Sequence, residues 1–214
     1  MKNNIHYITV SEDLKKSLDI IMNEELFNPF LLVGGTALSL QMGHRISVDI
    51  DLFTDTEYGS IDFKKLEEFF VNRFKYCESL KIDAVGVGKS FFVGFDSTNL
   101  IKIDVYYNDP FVFEIYKVEN IRMASIEEII AMKIDVISRT GRKKDFWDIH
   151  ECMENYSFQQ MIDFHRLKYP FTHDEKLIKA KITDFSFAEN DFEPICLRGK
   201  NWDIIKLDFI DFVR

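Results

Sequence analysis

Cysteine is scarce in this 214-residue chain: Cys77, Cys152 and Cys196 are the three present, with no C-x-x-C pair among them. That spacing excludes a disulfide framework and a zinc ribbon, and it leads us to expect a reducing, cytoplasmic setting. Glycine (9) and proline (4) are also few. With 46% apolar and 29% charged residues, the chain is neither collagen-like nor disordered. Long apolar runs are missing. The longest, Phe30 to Leu40, is interrupted by Gly34, Gly35 and Thr36 and is too short to span a bilayer. The opening MKNNIHYITVSEDLKK lacks the apolar segment of an export signal, so neither a signal peptide nor a membrane span is expected. Positive charge is in deficit, 27 Lys and Arg against 36 Asp and Glu, for a formal charge of −9. The surface as a whole therefore repels polyanions. Arg139 to Lys144 departs from this, with Arg139, Arg142, Lys143 and Lys144 and no acid, so a phosphate-bearing partner would dock locally.

What the chain does hold is aromatic mass, 21 Phe, 8 Tyr and 2 Trp, enough to fill a core, an interface or both. The length permits one full domain or two modest ones. Thr9 and Glu12 are spaced as a capping box ahead of Leu14, Leu18, Ile21, Met22 and Leu26, which predicts an amphipathic helix over 10–26. Phe30 to Val33 reads as a strand, Gly34-Gly35 as a tight turn, and Thr36 to Met42 as a short helix. Val48 to Phe53 alternates with period two, so that Asp49 and Asp51 share one face. Residues 60–76 are helical in period, and strand-like runs follow at Leu80–Val87, Phe91–Phe95 and Leu100–Tyr107. Beyond Asn120 capping signals dominate, Ser125 with Glu128 and Thr172 with Glu175, and the second half reads as helical. The expected class is α+β: a mixed twisted sheet with flanking helices over 1–120, then a helical C-terminal domain over 121–214 that closes a cleft.

Asp49, Asp51 and Asp104 lie on strand-like segments between aliphatic residues, where three carboxylates brought together would need a cation. Oxygen-only donors favour Mg²⁺ or Mn²⁺ over Zn²⁺, and such a trio suits two ions about 3.5–4 Å apart, the arrangement of phosphoryl or nucleotidyl transfer. Gly34-Gly35-Thr36 at a helix N-terminus would let backbone N–H groups approach a phosphate, with Thr36 adding a hydroxyl. Each element alone has an ordinary explanation, a strand-to-helix turn for the glycines and an exposed edge for the acids. Their combination is far more specific.

The run Gly34-Gly35-Thr36-Ala37-Leu38 followed by Gly43 through Phe53 resembles the opening motif of the AbiEii/AbiGii-type toxin family, within the DNA polymerase β-like nucleotidyltransferase superfamily. Lys133 in a capped helix, Arg139 and the run Arg142-Lys143-Lys144-Asp145-Phe146-Trp147-Asp148-Ile149 are similar to that family's second signature. The tail from Lys168-Tyr169-Pro170 through Ala188-Glu189 and Pro194 to Trp202 resembles its helical C-terminal region. The resemblance implies an enzyme that moves NMP from an NTP to an acceptor, as the toxin of a bacterial toxin–antitoxin or abortive-infection system with a cognate antitoxin; related toxins act on tRNA ends. Carried over residue by residue, it implies Asp49 and Asp51 as metal ligands, Asp104 as third carboxylate and base, and Asp145 as a second-signature acid. It further implies nucleotide contacts from Gly34, Gly35, Thr36, Arg45, Ser47, Lys133 and Arg142, with Lys133 on the triphosphate.

Plainer readings stand beside these. Lys133 is also placed to snorkel from a helix surface, and Lys143 and Lys144 to be solvated. Asp145 and Asp148 could simply favour a helix N-terminus, Arg45 could pair with a carboxylate, His44 reads as a loop residue, and Phe146 and Trp147 as core. Two other functions remain open: a nucleotidyltransferase acting on a small molecule such as an antibiotic, which suits the acidity, and a non-catalytic binding module.

Overall fold

The computed structural model describes residues 5–79 and 86–213. Helix α1 (Glu12–Met22) begins at Ser11, whose hydroxyl accepts the Leu14 N–H, and it buries Leu14, Leu18, Ile21 and Met22. Ser11 replaces the expected Thr9 as cap because Thr9 closes a short 3-10 turn, its hydroxyl donating to the His6 carbonyl at 2.7 Å. Each of those fully buried aliphatics contributes about 1.5–3 kcal/mol by leaving water. The helix ends at Met22, short of the expected residue 26, and a separate 3-10 turn, Glu25–Phe27, follows.

Strand β1 (Leu31–Val33) runs directly into α2 (Gly34–Met42), and β2 (Ile50–Thr54) returns antiparallel to β1. Next come α3 (Phe63–Arg73), β3 (Tyr76–Ser79), β4 (Gly88–Gly94) and β5 (Ile101–Tyr107). Of the strand expected over Leu80–Val87, residues 80–85 lie outside the described residues. Two three-residue strands that the sequence pattern did not reveal, β6 (Tyr116–Val118) and β7 (Ile121–Met123), form a hairpin, and β7 pairs parallel with β1. Among the described residues the sheet has seven strands in the order β3-β4-β5-β2-β1-β7-β6. It continues to Met123, three residues past the division expected at 120.

Period-two alternation gives the central strands two faces. Ile50, Leu52, Phe91, Ile103 and Val105 are fully buried on the side covered by α3, where Phe70 meets Phe91 at 4.6 Å between ring centroids. Asp51, Lys102, Asp104 and Tyr106 occupy the other side, since they alternate with those residues along β2 and β5.

The helical part comprises α4 (Ile126–Thr140), α5 (Lys143–Cys152), α6 (Phe158–Lys168), α7 (Glu175–Lys181) and α8 (Trp202–Phe212). Ser125 caps α4 through the Glu128 N–H, as expected. Asp174, rather than Thr172, caps α7, because the helix begins at Glu175 and Asp174 accepts the Leu177 N–H. Phe146 and Trp147 belong to the core: Trp147 stacks on Trp202 at 6.1 Å, and Phe146 meets Phe185, Trp202 and Phe209 edge-on or tilted. Lys143, read from sequence as solvated, is buried, its ammonium 5.3 Å from the centroid of the Trp202 ring.

Candidate active site

Parallel pairing of β2 with β5 sets Asp51 opposite Asp104 in register. Lys102 lies two residues from Asp104 on the same strand face and reaches its carboxylate at 2.6 Å; Ser90, on the neighbouring β4, donates to the other oxygen at 2.6 Å. The Tyr106 hydroxyl lies 3.1 Å from that of Ser90. Asp49 sits just ahead of β2 with Lys144 at 3.8 Å. Three carboxylates thus share two ammonium groups, and Asp51 is the one with no ion pair among the described residues. Its carboxyl is pushed up to about 6, first by burial and then by the Asp104 charge, against the opposing pull of Lys133 and Lys144. Among the described residues no three His, Cys, Asp or Glu side chains are gathered as a ready metal cluster; Lys102 is paired with Asp104 and Lys144 with Asp49.

The glycine turn has a cause inside the chain. Gly34 has φ +68, and a Cβ there would stand 2.5 Å from Asp51 Oδ2; a Cβ on Gly35 would stand 2.2 Å from the Arg45 guanidinium. Both positions must lack a side chain for β1 and α2 to approach the acids and the arginine. Helix α2 has no side-chain cap, which leaves its N-terminal N–H groups to backbone, water or ligand. Thr36 corrects the expectation of a hydroxyl offered to phosphate: it is buried, and its hydroxyl hydrogen-bonds with the Asp49 carbonyl and the Ser47 hydroxyl. It fixes the loop that carries Asp49.

The second signature folds into a buried ion network centred on Asp148. Arg45 donates to it twice, at 2.6 and 2.9 Å, His44 hydrogen-bonds it at 2.8 Å, and the Lys133 ammonium lies 2.9 Å away. Burial alone would raise the Asp148 carboxyl, yet Arg45 and Lys133 hold it well below the usual carboxylate range. Lys133 also meets Asp145 at 2.5 Å, and Asp145 accepts the Arg142 backbone N–H at 2.9 Å. Lys133 is therefore neither a surface lysine nor a free ammonium: burial would lower its proton affinity, but Asp145 and Asp148 raise it. Asp145 has a defined place, tying the start of α5 to α4. His44 lies in the loop after α2, as expected, and is fully buried there. Asp148 and His44 were missing from the expected site. The R-x-K-D-x-x-D spacing marks Asp148, but its partners lie 103 and 104 residues away.

Arg45, Ser47 and Asp49 also line a cavity of about 240 Å³ together with Arg142 and Lys144 on the helical side. Arg142 is paired with Asp191 at 3.0 and 3.1 Å. The cavity's remaining wall is Asp191–Ile195, a segment that sequence reasoning assigned no role. It is joined to the loop after α2 by the Arg45–Cys196 bridge, by Ile46 N–H to the Ile195 carbonyl at 2.9 Å and by Leu197 N–H to the His44 carbonyl at 2.8 Å. The structure thus brings Gly34, Gly35, Arg45, Ser47, Asp49 and Asp51 to one end of the sheet. Asp104 stands beside Asp51, Arg142 and Lys144 face them across the cavity, and Lys133 is held behind.

A family model described as nucleotidyl transferase AbiEii toxin, type IV TA system, matches residues 17–213. An uncharacterised protein of Aquifex aeolicus (strain VF5) is 27% identical over 187 residues, which is 84% of this chain and 79% of that protein. The crystal structure of JHP933 from Helicobacter pylori is similar with a TM-score of 0.58 at 18% identity, over 95% of this chain and 91% of that one. MenT4, a nucleotidyltransferase toxin from Mycobacterium tuberculosis H37Rv, is similar with a TM-score of 0.57 at 14% identity, over 87% of this chain and 75% of that one. At these identities the structural likeness speaks for the fold.

Proposed function

This chain belongs to the AbiEii nucleotidyltransferase toxin family of type IV toxin–antitoxin systems, and from that membership we propose that it moves NMP from an NTP to an RNA acceptor, a tRNA end, with the help of Mg²⁺ or Mn²⁺. Family membership makes it a nucleotidyltransferase and implies a cognate antitoxin. No helix among the described residues is long and apolar enough to cross a membrane, and we assign the reaction to the cytoplasm.

The observation that carries the proposal is the register of Asp51 against Asp104, with Asp49 nearby and one carboxylate more than the ammonium groups beside them. The donor set is all oxygen, which fits a hard divalent ion. Asp49, Asp51 and Asp104 would hold it once Lys102 and Lys144 swing aside. When bound, such an ion supplies Lewis-acid stabilisation of the transferring phosphoryl group and a more acidic acceptor hydroxyl. Asp104 takes the proton of that hydroxyl as its oxygen bonds to the α-phosphorus and the bond to the β-phosphate breaks, releasing pyrophosphate. The N–H groups at the start of α2, which no side chain caps, and the cationic side chains of Arg142 and Lys144 offset charge on the triphosphate. Arg45 and Ser47 shape the wall between them, and Lys133 acts from behind, through Asp145 and Asp148, on the position of Arg45 and Arg142.

Incubation with labelled NTPs, Mn²⁺ or Mg²⁺, and either total tRNA or aminoglycosides tests this. Label is expected in tRNA, and Asp51→Asn should reduce it by more than about 100-fold while the protein stays folded. Label in the aminoglycosides alone would move the protein to the small-molecule class. An unaffected Asp51→Asn would remove the metal assignment.

A further inference from the structure

The wall formed by Asp191–Ile195 carries apolar side chains where a polar cavity has least use for them. Phe192 is 90% exposed, Ile195 67% and Val48 65%, and all three, with Pro194, line the cavity that also holds Arg45, Ser47, Asp49, Arg142 and Lys144. A single exposed apolar residue needs no explanation, but several gathered at the mouth of one charged cavity do. The backbone beneath them is firmly fixed. Asp191 accepts from the Arg142 side chain and from the Lys143 N–H at 3.3 Å. The far end is bridged to Arg45 and Ile46. Ala188 before it and Trp202 after it are buried in the aromatic core. Phe192 is therefore presented on a braced strap, and no neighbouring core residue draws it inward.

A cavity lined by Arg142, Lys144 and Asp49, with an exposed aromatic ring on the opposite wall, matches a ligand of two parts, a polyphosphate and a flat heterocycle. We propose that Phe192, flanked by Ile195 and Val48, is the stacking platform for a nucleobase, and that the 191–195 strap is the specificity wall of the nucleotide cavity. The proposal rests on the nucleotide-binding reading of this cavity. The base could belong to the incoming NTP or to the terminal nucleotide of the acceptor; the chemistry of recognition is the same. Stacking accepts any base, and selection among bases then falls to the polar edges of the strap.

Calorimetry of the full chain with Mn²⁺ separates the possibilities, using each NTP, inorganic triphosphate and a short single-stranded RNA as probes. For Phe192→Ala, binding of at least one NTP or of the RNA is expected to weaken by about 5- to 150-fold, the range for loss of one stacked base. Affinity for inorganic triphosphate should be unchanged, and Phe192→Trp should restore the nucleotide. Weakening confined to the NTPs assigns the platform to the donor base, and weakening confined to the RNA assigns it to the acceptor base. Equal loss for triphosphate and nucleotides, or no loss for any probe, would overturn the proposal. If the wild-type protein binds triphosphate and NTP with the same affinity and no RNA, the platform is absent while the phosphate site stands. If it binds none of them, the underlying nucleotide reading fails instead.

Discussion

Asp51 is held between Gly34, whose missing side chain leaves room for one of its oxygens, and Asp104 on the adjacent strand. Its proton affinity is raised on folding, from 3.8 to about 6, so the folded protein binds more protons than the unfolded one between those values. Unfolding free energy therefore falls as pH rises through that interval, and the favourable contribution is complete only below about pH 4. That rise is worth up to about 3 kcal/mol. Asp51→Asn removes the charge and keeps the shape, so in metal-free buffer at neutral pH it should raise stability by up to about 3 kcal/mol while abolishing transfer. Urea unfolding at pH 4 and pH 7 checks this: the two proteins should converge at the lower pH. An Asn variant less stable than wild type at pH 7 would contradict the unpaired carboxylate. Gly34→Ala acts on the same contact from the other side. A left-handed φ costs a non-glycine residue about 1–2 kcal/mol, and the new methyl would collide with Asp51 Oδ2. We expect a loss of about 1–3 kcal/mol in urea unfolding together with loss of transfer; a stable, active variant would mean that the turn is free to relax.

Among elements, the loop after α2, helix α4 and helix α5 are joined through one atom group, the Asp148 carboxylate. Removing one partner of a buried charge network costs about 3–5 kcal/mol, because the charges left behind have neither water nor a counter-ion. Asp148→Ala leaves Arg45 without its carboxylate and Lys133 with Asp145 alone, so a loss of that size is expected in equilibrium unfolding. Asp163→Ala, which breaks an exposed pair with Arg166 and an exposed hydrogen bond from Gln159, should change stability by less than about 1 kcal/mol. Similar effects from both would deny the network its role. The same residues mark the limits of what sequence can convey. The period-two acids of β2, the glycine turn and the Ser125 cap were legible because each is a local pattern. The β6–β7 hairpin was not, because strands of three residues carry too few alternations and this pair is held by β1. Lys143 looked like a solvated residue because Trp202, the ring that covers it, is remote in the chain, and nothing local tied the loop residue His44 to Asp148. Thr36 was recognised as important and given the wrong partner, for local spacing does not say which oxygen a hydroxyl will find.

At the scale of the whole molecule, a formal charge of −9 sets an acidic body around a small cationic opening. Of the cations in the positive run, Lys143 is buried, and Arg139 is tied to Asp135 within α4. Arg142 and Lys144 are left to face the cavity, each beside an acid, Asp191 or Asp49, that it would have to share with a phosphate. Under the proposed reaction, Arg142 and Lys144 would neutralise about two phosphates of an RNA end that enters there. Since the salt dependence of single-strand binding scales as about −0.7 per phosphate contact, log K against log salt should have a slope of about −1 to −2. Wild-type binding measured from about 50 to 200 mM salt should follow that shallow line, and Arg142→Ala should reduce the slope by about 0.7. A slope steeper than about −4 would mean that the RNA lies along other basic surfaces, such as Lys176, Lys179 and Lys181 on α7, and that the cavity receives only its tip. A shallow slope combined with productive transfer would explain how so acidic a protein handles a polyanion. On that outcome the body would repel the bulk of the acceptor and only an end that reaches Arg142 and Lys144 would be held long enough to react, so selectivity for ends would arise from the charge distribution and require no sequence-reading surface.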